Sequence, residues 1–484
     1  MSLLKKKIDT IKFTPATVGI LHFVGIGGIG MSGIAEILHN LGYTVQGSDL
    51  SVNANVKRLQ EKGINIFIGH DAKNIENANV LVISSAVTKD NLEVVAARKA
   101  AIPIIKRAEM LGELMKLKLS IAVGGTHGKT TTTYMVANLL ECANLDPTVI
   151  NGGIINSYAT NARLGDGDIM VVESDESDGS FTKLPATIAI VTNIDREHMD
   201  HYHDFSSVRK AYRTFIQNIP FYGFAVLCID HPEVQELMSD IQDMKVISYG
   251  FSENAEVRAV NIKQHTKGTS FDVRYSYREG KASEVTARTI KDFDISVFGM
   301  HNVQNALAAI SIGLRLSIED EVIKTAVKRF ESVKRRFTNV GVVNGVTIID
   351  DYAHHPIEIK ATLKAGLQAK GEKGKLIAVM QPHRYTRLSD MFSDFCKAFG
   401  DADTVIVADV YSAGEAPIEG ANKEALAKGL REQGHKNVIA LDSPENLAKI
   451  ISDVASRDDY VICLGAGSIS AWANDLPEQL KKIG

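Results

Sequence analysis

Short apolar runs closed by glycine, polar or charged residues recur along the chain at 18–24, 80–84, 119–123, 169–172, 187–191, 375–380, 404–408 and 460–464. Runs of this kind, without polar alternation, predict strands covered on both faces, as in a parallel sheet. Between them, 31–41, 133–140, 302–316 and 356–366 carry apolar residues at helical spacing. Further strands are predicted over 44–47 and 346–349, and 246–297 is more polar and leans to β. Strand and helix alternate three times, which predicts α/β architecture in three serial domains, 1–118, 119–334 and 335–484. A chain of 484 residues exceeds a single core. It shows no short-period repeat, low-complexity tract or heptad pattern.

Composition narrows the class of protein. Hydrophobic residues make up 45% and charged residues 23%, the profile of a globular chain. The 54 basic residues nearly cancel the 58 acidic ones, so no global field favours nucleic acid or an anionic membrane. Nothing is long and apolar enough for membrane insertion, and the basic start, Met1-Ser2-Leu3-Leu4-Lys5-Lys6-Lys7, lacks the apolar stretch of a secretory signal. Cys142, Cys228, Cys396 and Cys463 lie far apart in apolar contexts, as reduced thiols do. A cytoplasmic location is expected.

The strand at 119–123 runs into Gly124-Gly125-Thr126-His127-Gly128-Lys129-Thr130-Thr131 and then a helix. This is the order of a phosphate-binding loop, with inward N–H groups, a lysine charge and a hydroxyl able to ligate magnesium. The strict pattern has a glycine six positions before the lysine, where this chain has Val123. In the first domain Gly25-Ile26-Gly27-Gly28-Ile29-Gly30 follows a strand, with Asp49 about twenty residues on. That spacing predicts a pyrophosphate or similar dianion against the helix that begins near Gly28, and either NAD or a nucleotide diphosphate sugar carries one. At the end of the strand over 169–172 stands Glu173-Ser174-Asp175-Glu176-Ser177-Asp178, a carboxylate cluster best explained by a magnesium ion, with Glu173 the first choice of ligand. His198 after the next strand is a second ligand candidate, supported by Asp195 or Asp200. Asn302 and Asn305 share a helix face and could read adenine or ribose, although Asn302 would also serve as an N-cap. In the last domain Lys334-Arg335-Arg336, Asp350-Asp351-Tyr352-Ala353-His354-His355-Pro356 and Gln381-Pro382-His383-Arg384-Tyr385-Thr386-Arg387 mark a ligand-facing edge suited to a carboxylate or a phosphoryl group.

These runs, together with the first domain's His22-Phe23-Val24-Gly25 and Met31-Ser32-Gly33, resemble the ATP-dependent Mur ligases of peptidoglycan precursor synthesis, whose loop has the register found here. The resemblance spans the chain. It implies a central P-loop ATPase-like domain between two Rossmann-like α/β domains, with ATP and magnesium as cofactors. UDP-N-acetylmuramate and L-alanine are the small-molecule substrates it implies, joined through an acyl phosphate by a monomer or homodimer. By the same resemblance Lys129, Glu173, His198 and Arg336 are catalytic, and Thr130, Glu173 and His198 hold metal. Gly125, Thr126, His127, Gly128, Lys129, Thr130, Thr131, Asn302, Asn305, Arg336 and Asp351 bind ATP. Gly27, Gly28, Ile29, Gly30, Asp49 and Ser84 bind the UDP-sugar, and Tyr352, His354, Arg384 and Arg387 the amino acid. Several relatives complete the second metal with a carbamoylated lysine; Tyr212-Arg213 stands there in this chain, with Lys210 nearby. A ligase that recycles murein by attaching a tripeptide, an NAD-dependent dehydrogenase and a P-loop switch are the alternatives. The glycine run and the length favour the alanine-adding branch.

Overall fold

The computed structural model describes residues 14–84, 86–155, 158, 160–278 and 285–483; the basic first residues lie outside them. The chain divides into two compact units, one of Met1–Arg258, Arg274–Arg288 and Asn305–Ala326, the other of Ala259–Val273, Thr289–Gln304 and Val327–Gly484.

The first unit holds two sheets. One comprises β1 (Leu21–Val24), β2 (Val45–Asp49), β3 (Asn65–Ile68), β4 (Val80–Ile83) and β5 (Ile104–Lys106), all parallel in the order β3-β2-β1-β4-β5. β1 is buried at every position, which is why its sequence does not alternate. It begins later than the apolar run over 18–24 suggests, because Pro15–Val18 is a helical turn ended at Gly19 with φ 73°. The helix Ile29–Asn40 follows β1 directly.

The second sheet contains β6 (Leu119–Gly124), β7 (Thr148–Ile155), β8 (Thr160–Arg163), β9 (Ile169–Glu173), β10 (Ile188–Val191), β11 (Phe224–Cys228) and β12 (Val246–Gly250) in the order β12-β11-β10-β6-β9-β7-β8. Among these seven strands only the β7–β8 pair is antiparallel. From β6 the chain builds outward on one side through β7 and β9, then crosses to β10 on the other. β6 is therefore the topological switch point, and the carboxyl ends of β6, β9 and β10 open on one edge where ligands of such sheets collect. The β-leaning stretch forms β13 (Val257–His265), β14 (Gly268–Arg278) and β15 (Val285–Ile295).

The second unit carries β16 (Thr338–Val343), β17 (Val346–Asp351), β18 (Leu376–Met380), β19 (Thr404–Val407), β20 (Val438–Ala440) and β21 (Tyr460–Leu464) in the order β16-β17-β21-β18-β19-β20. β16 alone is antiparallel to its neighbour. Along β18, Leu376, Ala378 and Met380 enter one core with Phe395 and Leu426, while Ile377 and Val379 enter another with Ile406 and Leu476. Two-residue periodicity with an apolar layer on each side produces the unbroken apolar run. No helix among the described residues is long and apolar enough to cross a membrane.

Candidate active site

The glycine loop after β6 is fixed by its own geometry. Gly125 has φ 134°, and a Cβ there would stand 2.0 Å from Thr192 Oγ1; Gly128 has φ 81°. The segment following β10 ties the loop down. Asn193 Oδ1 accepts the His127 N–H at 2.7 Å, and Asn193 Nδ2 and Thr192 Oγ1 donate to the His127 carbonyl at 3.0 and 2.6 Å. The Asp195 N–H donates to Thr126 Oγ1 at 2.8 Å. Thr130 and Thr131 are buried in the first turn of the helix Lys129–Cys142. Asn305 backs the loop, for a Cβ on Gly128 would meet its Oδ1 at 2.8 Å.

Lys129 Nζ donates to the carbonyls of Gly125 at 2.6 Å and Thr126 at 3.0 Å and to Glu176 Oε1 at 2.8 Å. Burial works to lower the pKa of this ammonium, but the carboxylates of Glu176, Glu173 and Glu197 outweigh it and the net shift is upward. Burial pushes Glu176 up to about 7 despite Lys129. His198 Nε2 lies 3.7 Å from the same carboxylate. Glu176, Glu197 and His198 each offer a ligand atom within 4.8 Å of the others, a donor set that fits a divalent cation. Glu173, the carboxylate favoured by its strand-end position, accepts the Gly152 N–H at 2.6 Å. It is Glu176 that reaches both Lys129 and His198. Asp195 faces His127 and His231 at 3.4 and 3.5 Å; the Asp200 side chain lies outside the described residues. Tyr212 is fully buried, whereas Lys210 and Arg213 are exposed and Arg213 pairs with Asp240.

At the other glycine run, Gly28 is the N-cap of its helix. The Gly27 N–H donates to Asp49 Oδ2 at 2.8 Å, and Asn55 and Asn53 donate to the Gly27 carbonyl at 2.9 and 3.2 Å. Asp49 thus shapes the turn. Ser84 is half-buried beyond β4, its carbonyl accepting the Val87 N–H at 3.2 Å. Arg107, which no motif singled out, lies against the helix start: a Cβ on Gly30 would be 3.0 Å from its Nη1.

In the second unit Asp351 ends β17, is buried, and accepts N–H bonds from Phe337 at 2.7 Å and Ala353 at 2.8 Å. Burial raises it to about 6 against the pull of Arg336. Arg335 and Arg336 stack on the Tyr352 ring at 4.6 and 5.3 Å. His354 Nδ1 sits 2.9 Å from the Tyr352 carbonyl and its ring meets His383 edge-on. Arg387 donates to the His383 carbonyl at 3.1 Å, and Arg384 approaches Glu415 at 3.7 Å. Burial, reinforced by His354, Arg387 and Arg384, holds His383 down at about 4. Glu415 and Tyr411, which stacks on His383, have no sequence signal because they lie in a loop of ordinary polarity. Asn302 occupies the first turn of the helix Met300–Arg315, donating to the Phe298 carbonyl at 2.7 Å, so it is not the N-cap.

Three family profiles match the chain in series: the "Mur ligase family, catalytic domain" over residues 20–119, the "Mur ligase middle domain" over 123–313 and the "Mur ligase, glutamate ligase domain" over 335–467. The chain belongs to the Mur ligase family. Among its relatives, the UDP-N-acetylmuramate–L-alanine ligases of Rhodospirillum centenum and Rhodospirillum rubrum are 60% and 59% identical, each over 97% of this chain and 96% of their own. The crystal structure of UDP-N-acetylmuramate-alanine ligase MurC from Thermotoga maritima is similar with a TM-score of 0.79 at 29% identity, covering 96% of this chain and 100% of that one.

Proposed function

We propose that this chain joins L-alanine to the lactyl carboxylate of UDP-N-acetylmuramate, consuming ATP and releasing ADP and phosphate. The observation that carries this reading is the 60% identity to an alanine ligase along 97% of the chain. The geometry around Lys129 supplies the chemistry. In the first step a carboxylate oxygen attacks the γ-phosphorus of ATP, an O–P bond forms, and ADP leaves with the electrons of the broken bond. The alanine amine then attacks the acyl carbon, phosphate departs, and the nitrogen loses a proton. Two anions must approach each other in the first step, so positive charge is needed where they meet. Lys129 supplies it by exchanging Glu176 for phosphate oxygens, on a loop whose glycines are already in place.

Thr130, Glu173 and His198 would hold magnesium, with Glu176 and Glu197 beside His198 as further carboxylates. A cation bound there would neutralise charge between the attacking carboxylate and the phosphoryl group. Asn302, Asn305, Arg336 and Asp351 are assigned to the nucleotide, with Arg336 also stabilising the transferring group. Tyr352, His354, Arg384 and Arg387 are assigned to alanine, an arginine being suited to its carboxylate. Gly27 to Gly30 and Ser84 are assigned to the UDP-sugar, with Asp49 supporting the turn. The reading divides the work among domains at 1–118, 119–334 and 335–484. It places the protein in the cytoplasm, as a monomer or homodimer.

The test is a phosphate-release assay with ATP, magnesium, UDP-N-acetylmuramate and L-alanine, omitting each in turn. Release is expected only with the full set. Release from ATP alone would identify an NTPase, and release with a tripeptide but not alanine would identify a recycling ligase.

A further inference from the structure

The loop after β9 touches both anion-binding ends of the first unit. Its first residue is anchored by the Ser174 N–H to the Val123 carbonyl at 2.9 Å. The Glu176 carbonyl accepts from the Gly179 N–H at 3.0 Å and from the Tyr202 hydroxyl at 2.6 Å. Between these ties two adjacent carboxylates point to different cations. Asp175 Oδ2 lies 3.1 Å from Arg107 Nη2, on the guanidinium that stands over Gly30 at the start of the helix Ile29–Asn40. Glu176 Oε1 lies 2.8 Å from Lys129 Nζ at the triphosphate loop.

We infer that Asp175 and Glu176 are a positioning pair through which the sugar-nucleotide end and the triphosphate end of the site sense each other. The inference rests on the functional reading above. Each carboxylate occupies a cation that an incoming phosphate needs. A dianion at the Gly28 to Gly30 helix start competes with Asp175 for Arg107, and a triphosphate competes with Glu176 for Lys129. Asp175 and Glu176 share one short stretch of backbone between the Ser174 N–H and Glu176 carbonyl ties, so a backbone shift that releases one carboxylate from its cation also moves the other. The second ligand then meets a cation already partly released, and binding of the two is positively coupled, by the same factor whichever binds first.

The experiment measures the Kd of UDP-N-acetylmuramate by calorimetry, with and without magnesium and a non-hydrolysable ATP analogue. In the unaltered protein the analogue should tighten sugar-nucleotide binding by about fivefold or more. Asp175→Asn should reduce that ratio to about one while both ligands still bind, because a neutral amide no longer holds Arg107. Arg107→Gln removes the charge of the same contact from the opposite partner and should reduce the ratio likewise, which covers the case in which one variant fails to fold. A merely structural role would change affinities or melting temperature but not their ratio. An unaltered ratio in a folded variant, or no coupling in the unaltered protein, overturns the inference. Failure of the functional reading is distinct: UDP-N-acetylmuramate would not bind the unaltered protein under either condition.

Discussion

Lys129 commits an N–H bond to each of two loop carbonyls and a third to Glu176, which holds the ammonium within the loop that a triphosphate would enter. Removing it takes away the charge and two bonds to loop carbonyls, while the bonds from Thr192, Asn193 and Asp195 still tie the loop down. Lys129→Ala is therefore expected to lower the rate of phosphate release by about a hundredfold or more, the scale of losing one preorganised electrostatic group. UDP-N-acetylmuramate affinity, measured by calorimetry, should change little, and undiminished turnover would refute the role. Gly125→Ala addresses the loop itself. With φ at 134° and Thr192 Oγ1 only 2.0 Å from the new Cβ, the backbone must move, at a cost of about 1–3 kcal/mol. Equilibrium titration should show weaker ATP binding with sugar-nucleotide binding retained; unaltered ATP affinity would mean that the loop tolerates the shift without consequence.

Strand ends of the second unit bring Arg384, Arg387, His354 and His383 together, and the burial of His383 makes the fold there sensitive to acid. His301 and His383 are each held at about 4, below the ordinary value, chiefly by burial. A depressed histidine stabilises the fold above its unfolded pKa, and that contribution is lost as pH falls from about 6.5 toward 4. Glu176 and Asp351, raised to about 7 and about 6, act in the opposite sense over the same range, so the readout is a difference between proteins. Urea unfolding of the full chain at pH 7 and pH 5 should show a change in stability that is more favourable, on going to pH 5, in His383→Gln than in the unaltered protein; an equal change in both would remove His383 as a cause. Arg384→Ala should chiefly raise the KM for alanine in the phosphate-release assay, and a selective loss of ATP affinity instead would contradict its assignment. The strands legible in the sequence, such as β1 and β18, are those covered on both faces. β3 and β20 end their sheets and β16 is half-exposed, so no apolar run marks them, and Gly152-Gly153 inside β7 reads as a turn. The same limit applies to side chains. Gly125 to Thr131 announces itself because backbone geometry dictates its residues, whereas four carboxylates in 173–178 do not reveal that Glu176 is the one that turns to Lys129. Arg107 carries no local signal, since its place beside Gly30 comes from the tertiary fold.

The last sheet has an apolar layer of its own on each face, which makes its folding alone a question in its own right. The segment 335–484 contains all six strands of the last sheet and both of its cores, at a size of about 150 residues that supports an independent domain. It lacks 259–273 and 289–304, which cluster with it, and with them the Gly299 N–H that Gln368 Oε1 accepts at 2.9 Å and the Gly268 carbonyl to which Gln368 Nε2 donates at 2.6 Å. Those bonds tie a helix surface rather than fill either core, so their loss should weaken the fragment without unfolding it. Expressed alone, 335–484 is expected to give dispersed amide resonances and one cooperative urea transition, with a midpoint below that of the corresponding transition in the full chain. It should release no phosphate from ATP, because Lys129 and its loop are missing. A fragment that remains disordered would show that the division at 334 is not a folding boundary and that 259–273 and 289–304 belong to the last domain's core, not to its surface.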